Sequence, residues 1–74
     1  MKRFTMEVTK GEKYLVAICV EQPSCFTQGK TWDEIVYNSR EVISLMLEIP
    51  PNSFELHIID KTKPVRKAIS GMME

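Results

Sequence analysis

No run of apolar residues in this chain approaches the roughly 18–20 that a bilayer-spanning helix needs, so the sequence predicts no membrane helix. The N-terminal stretch "MKRFTMEVTKGEK" is basic at its start but has no apolar segment behind it, unlike a secretory signal. Only two cysteines occur, Cys19 and Cys25, too few for a disulfide framework or a metal quartet. Without an export signal they read as buried, reduced thiols of a cytoplasmic protein, with a functional redox pair as the other reading. The three glycines stand alone, so no phosphate cradle is suggested. No nucleophile elbow, zinc-protease helix, P-loop or dinucleotide fingerprint is present either. Neither sign of charge is in excess: ten basic and ten acidic residues give a net charge of zero. That argues against a surface devoted to nucleic acid, which needs a basic excess. The one local basic stretch, "DKTKPVRK" with Lys61, Lys63, Arg66 and Lys67, reads as a solvated tail.

Catalytic chemistry has little to stand on. His57 is the only histidine, and a catalytic histidine needs a positioned partner that no motif here provides. A two-metal nuclease needs several carboxylates converging on one point. Glu7 with Glu34 or Glu41 is the nearest candidate set, but Glu34 has a helix-capping task and Glu7 alternates away from the apolar residues of its strand. The sequence therefore predicts no enzyme, no catalytic residue, no metal ligand and no cofactor.

What is present is the patterning of one small domain, residues 1–74, with a core over 1–60 and a basic tail or short helix over 61–74. At 74 residues such a chain buries only about 60–65% of the surface its unfolded form exposes, so its core is thin. A hydrophobic content of 43% against 27% charged residues favours folding over disorder. Phe4, Met6 and Val8 alternate with Thr5, Glu7 and Thr9, the period of a half-buried strand. A turn at Gly11 leads into "YLVAICV", Tyr14 to Val20, which is apolar on both faces. Such a strand belongs in the centre of a sheet and calls for cover on each side. The two form a hairpin, and Pro23, lacking an amide, is expected to end the second strand.

"SCFTQG" predicts a short third strand, with Cys25 and Thr27 on one side and Phe26 and Gln28 on the other. Gly29 suits a tight or left-handed turn. Thr31 and Glu34 then have the spacing of a capping box, in which each side chain satisfies the other residue's amide. Asp33 adds negative charge where the helix dipole favours it. Trp32, Ile35, Val36, Ser39, Val42, Ile43, Met46 and Leu47 recur on one helical stripe, and Pro50 with Pro51 stops the helix. Phe54, Leu56 and Ile58 alternate with Glu55, His57 and Ile59 in a fourth strand. The tail from Pro64 to Met73 can form a short helix or stay a basic tail. The fold class is α+β: a three- or four-stranded sheet in the order β-β-β-α-β with one long helix packed on a face, and room for that short C-terminal helix.

The stretch "VEQPSCFTQGKTWDEIVYN" resembles the signature of HicB-like antitoxins, a Pro-Gly-Cys-x-Thr-x-Gly-x-Thr-x-Glu-Glu-Ala-x-x-Asn pattern after a strand carrying "YLVA". Pro23, Cys25, Thr27, Gly29, Thr31, Glu34 and Asn38 fall at matching positions. Ser24 replaces a glycine, which requires a turn without positive φ, and Ile35 replaces an alanine, which implies looser helix–sheet packing there. The resemblance implies a partial RNase H-like fold without the nuclease's acidic residues. It also implies a partner, a small basic HicA-type toxin that cleaves mRNA and whose active site the domain covers, and association into homo-oligomers. Many members carry a C-terminal DNA-binding segment, for which the residues after the fourth strand are too few. Glu7, Glu12 and Glu55 are the candidate contacts to a basic partner. The other readings are an orphan homo-oligomer that senses a ligand or serves a structural role, and a nucleic-acid-binding RNase H-like protein.

Overall fold

The computed structural model describes residues 2–62. It contains β1 (Lys2–Lys10), β2 (Leu15–Cys19), β3 (Phe26–Gly29), α1 (Trp32–Leu47) and β4 (Phe54–Asp60). The short helix that Pro64 to Met73 can form lies outside the described residues, as do Lys63, Arg66 and Lys67 of the basic stretch. The sheet order is β3-β2-β1-β4. β1 pairs antiparallel with β2, and β2 antiparallel with β3. β4 lies parallel to β1, with Phe4 opposite Leu56 and Met6 opposite Ile58. A parallel pair cannot be closed by a tight turn; the chain makes its return through α1.

Register puts the alternating residues where their pattern requires. Phe4, Met6 and Val8 of β1, Ala17 and Cys19 of β2, and Phe54 of β4 are buried on the helix side. Ile35 and Ile43 of α1 close the core over them. Phe4 and Phe54 meet edge to face, 5.4 Å between centroids and 88° between planes, the offset geometry that aromatic quadrupoles favour. β2 is interior to the sheet, as its two apolar faces demand, yet only one of them is covered among the described residues.

The helix buries a narrower strip than its apolar stripe suggests. Ile35, Ser39 and Ile43, spaced by four, are buried, with Val42 and Leu47 half-buried beside them. Trp32, Val36 and Met46 are exposed instead. A single i, i+4, i+8 line faces the sheet, and its flanks overhang. Ser39 is buried with its Oγ unbonded, a cost of about 1–3 kcal/mol for an unmatched hydroxyl.

The N-terminal cap of α1 differs in one detail from the expected box. Thr31 has extended backbone and its Oγ1 accepts from the Glu34 amide at 3.1 Å. The Glu34 carboxylate reaches one residue further back than a capping box would place it, accepting from the Lys30 amide at 2.7 Å. At the other end Glu48 adopts the left-handed conformation, φ 56° and ψ 47°, with its amide bonded to the Ser44 carbonyl. A side chain there is strained, and a carboxylate faces the negative end of the dipole. Glu48→Gly is therefore expected to raise stability by about 0.5–1 kcal/mol. A urea midpoint that stays level or falls would contradict this.

The connection around Pro23 serves a different purpose from the one expected. β2 ends at Cys19, four residues earlier, so Pro23 does not terminate it. The Cys25 amide donates to the Gln22 carbonyl at 2.8 Å, which makes Pro23 and Ser24 the two central residues of a β-turn. Proline's fixed φ favours the first central position. Ser24 does not have positive φ, so the turn is not of type II, and its second central position does not call for glycine.

Candidate interaction surface

The seven signature residues do come together, at the junction of β2, β3 and α1, and each has a structural task. Cys25 is buried, and its carbonyl accepts from the Cys19 amide at 2.9 Å. Asn38 Nδ2 donates to the Gln28 carbonyl at 2.9 Å, tying the helix to the edge strand. Gly29 has no positive φ, so it is not there to make a left-handed turn. A Cβ at that position would lie 2.9 Å from Glu34 Cβ and 3.2 Å from the Ile35 amide nitrogen. The glycine permits β3 and the first turn of α1 to touch. Ile35, expected to loosen this region, is instead fully buried beside it. With Pro23 in the turn, Thr27 half-buried on β3, and Thr31 and Glu34 in the cap, the motif builds the fold.

The opposite face of the sheet is uncovered among the described residues. Ile18 lies across from Phe26 on one side and Glu7 on the other, and Val16 lies between Gln28 and Thr9. Thr5 is beside His57, and Glu7 beside Ile59. The outcome is a divided surface. Its β2–β3 half carries Val16, Val20 (49% exposed), Ile18 (44%) and Phe26 (63%), and Ile59 on β4 is 41% exposed. Its β1–β4 half is charged. Ile18 and Phe26, exposed side by side on neighbouring strands, make this half the candidate interaction face.

The candidate carboxylates do not gather into an acidic patch. Glu7 is ion-paired to Lys61 at 3.5 Å, and Glu55 to Arg3 at 3.6 Å with His57 Nε2 at 3.9 Å. Glu12 sits apart in the β1–β2 turn. Each strand face that exposes a carboxylate also supplies a cation next to it, so Glu7 and Glu55 present little net negative charge to a partner. Among the described residues, no three of His, Cys, Asp and Glu come together as a metal site would require. No helix there is long and apolar enough to cross a membrane. Both cysteines are free and buried, and burial raises both thiols above their ordinary value.

Two residues with real tasks carry no motif. Arg40 donates from Nη1 to the carbonyls of Pro51 (2.8 Å) and Phe54 (3.1 Å), and its guanidinium lies 5.3 Å from the Phe54 ring centroid. It fastens α1 to the entry of β4. Glu21 extends the ladder where β2 stops: its carboxylate accepts from the Thr5 amide at 2.7 Å and lies 3.6 Å from the Cys19 thiol. Partial desolvation opposes ionisation of Glu21, but the hydrogen bonds from Thr5 and Cys19 outweigh it and lower the carboxyl below its ordinary value. A depressed folded-state pKa contributes stability above the unfolded value, and that contribution is lost as pH falls through the folded one. Glu21→Gln should thus destabilise at neutral pH by an amount that shrinks under acid. Urea midpoints of both proteins across the acidic range check it; a difference that grows with acid would overturn the assignment.

No protein-family model, no curated protein and no solved structure matches this chain.

Proposed function

We propose that this chain is a protein-binding module of the HicB antitoxin type, and that it engages its partner through the open face of the sheet. One observation carries this reading: β2, interior to the sheet, and the residue that follows it leave Ile18 and Val20 exposed near Phe26, with Val16 half-buried beside them. Burying such a patch is favourable by about 25 cal/mol per Å² of apolar area removed from water. The resemblance from Pro23 to Asn38 supports the family, and through it a partner that is a small basic toxin cleaving mRNA. The paired state of Glu7 and Glu55 makes apolar contact, rather than acidic attraction, the source of affinity. Their role is then to set orientation, because rim charges influence association more than final affinity. The same patch favours a second reading, an orphan homo-oligomer in which two copies cover each other's sheets.

The test is a pull-down of the tagged chain from its own host's lysate, run beside an Ile18→Glu/Phe26→Glu variant, with light scattering on both purified proteins. Capture of a small basic protein in stoichiometric amount, lost in the variant, supports the antitoxin reading. A dimer that the variant splits, with no captured partner, favours the orphan. A basic partner retained by the variant would move the site elsewhere. A monomer that captures nothing would sink both readings.

A further inference from the structure

At the hairpin end of the sheet, beside the open face's apolar half, the chain gathers lysines that form no ion pair among the described residues. Arg3 and Lys61 are ion-paired; Lys10, Lys13 and Lys30 are in no ion pair among the described residues. They come from three places in sequence: the last residue of β1, the β1–β2 turn, and the link between β3 and α1. The register brings them to one end, since Lys10 is opposite Leu15 and Leu15 opposite Gly29, next to Lys30. There they line one concavity of about 130 Å³ together with Tyr14 and Glu12. Lys30 Nζ lies 5.9 Å from the centroid of the Tyr14 ring. A second concavity, about 260 Å³, adjoins it and shares Tyr14, Lys13 and Glu12, with Val16 and Gln28 as its further wall.

Three lysines and one glutamate among the lining residues give the smaller hollow a formal excess of two positive charges. The carboxylate of Glu34, in the first turn of α1, accepts from the Lys30 amide at 2.7 Å, and neither it nor Asp33 lines the hollow. Like charges gathered at one end repel one another, and a bound dianion reduces that repulsion. Lysine binds phosphate as a point charge that needs no fixed fork geometry, so three flexible ammonium groups suit a phosphate better than a planar carboxylate. The larger hollow offers an aromatic ring, the Val16 side chain and the Gln28 amide. Those groups fit a flat, partly polar organic body. Both hollows are open and small beside an ordinary ligand pocket of roughly 300–1,000 Å³, which points to a compact ligand held weakly.

We infer that the hairpin end of the sheet binds a small phosphate monoester of nucleotide size, its phosphate among Lys10, Lys13 and Lys30 and its organic body over Tyr14 and Val16. The site adjoins the docking face proposed above and shares Val16 with it, but it does not rest on that reading.

The test is a two-dimensional amide NMR titration of the full chain with inorganic phosphate and then with adenosine monophosphate, ionic strength held constant with sodium chloride. Saturable shifts are expected at Gly11, Lys13, Tyr14 and Lys30, with the monophosphate binding several-fold more tightly than phosphate. The combined K10Q/K13Q/K30Q variant should bind both roughly tenfold or more weakly, each exposed charge contributing a modest attraction. All three side chains are exposed, and single K13Q and K30Q variants give the same reading in smaller steps. Shifts that never saturate, or that persist in the variants, would mean general charge screening and overturn the site. Equal affinity for the two ligands would overturn the placement of the organic body.

Discussion

Ile35→Ala is expected to cost about 2–5 kcal/mol of folding stability, which is large for a chain of this size. Ile35 is fully buried and among the largest side chains that are. Its removal loses the transfer free energy of three carbons and leaves a cavity that the surrounding sheet can fill only in part. Domains in general hold about 0.05–0.15 kcal/mol of stability per residue, which for 74 residues is roughly 4–11 kcal/mol. A single truncation therefore removes about a fifth of the total at the least and nearly all of it at the most, and the variant is expected to be partly unfolded at 37 °C. Leu45→Ala, on the same helix but 75% exposed, should stay within about 0.5 kcal/mol of the parent. Urea denaturation of both variants measures the contrast. A loss under 1 kcal/mol at Ile35 would mean that the helix is not seated on the sheet as described.

Much of this architecture is legible in the sequence, because period-two and helical patterns record which side of an element is wet. The alternation in β1 and β4 fixes the helix-side core through Phe4, Met6, Val8 and Phe54. The threonine cap places the first residue of α1 at Trp32. What the pattern cannot convey is distance between elements. The helical stripe reads as eight residues wide, but how many are buried depends on how far α1 overhangs β3, and Trp32, Val36 and Met46 fall outside. Glu21 and Arg40 look like ordinary surface charges, because their roles depend on a backbone amide and two backbone carbonyls that end up beside them only after folding. Glu48 in the left-handed region is invisible for the opposite reason: its residue type argues against that conformation. The interaction surface sits between these cases. An all-apolar β2 announces that two faces need cover, but only the sheet order shows that Phe26 joins the uncovered one.

Gly29→Ala tests which of two physical reasons places a glycine at the β3–α1 junction. If the position required positive φ, asparagine would be tolerated there better than alanine. The backbone is ordinary, so the requirement is steric: the added carbon meets Glu34 Cβ at 2.9 Å and the Ile35 amide nitrogen at 3.2 Å. Trimming Glu34 cannot relieve the second contact, which is with backbone. The first turn of α1 must then shift outward, loosening the Lys30–Glu34 and Asn38–Gln28 hydrogen bonds that hold the helix to the edge strand. Crowding of this kind costs about 1–3 kcal/mol, against which the reduced entropy of the unfolded chain returns about 0.4–1 kcal/mol. The net effect should be destabilising and should increase with side-chain size, alanine least, asparagine more, valine most. Urea midpoints for the three variants decide it. An asparagine variant more stable than the alanine one would restore the conformational explanation, and with it a tight turn in place of the close helix–strand contact.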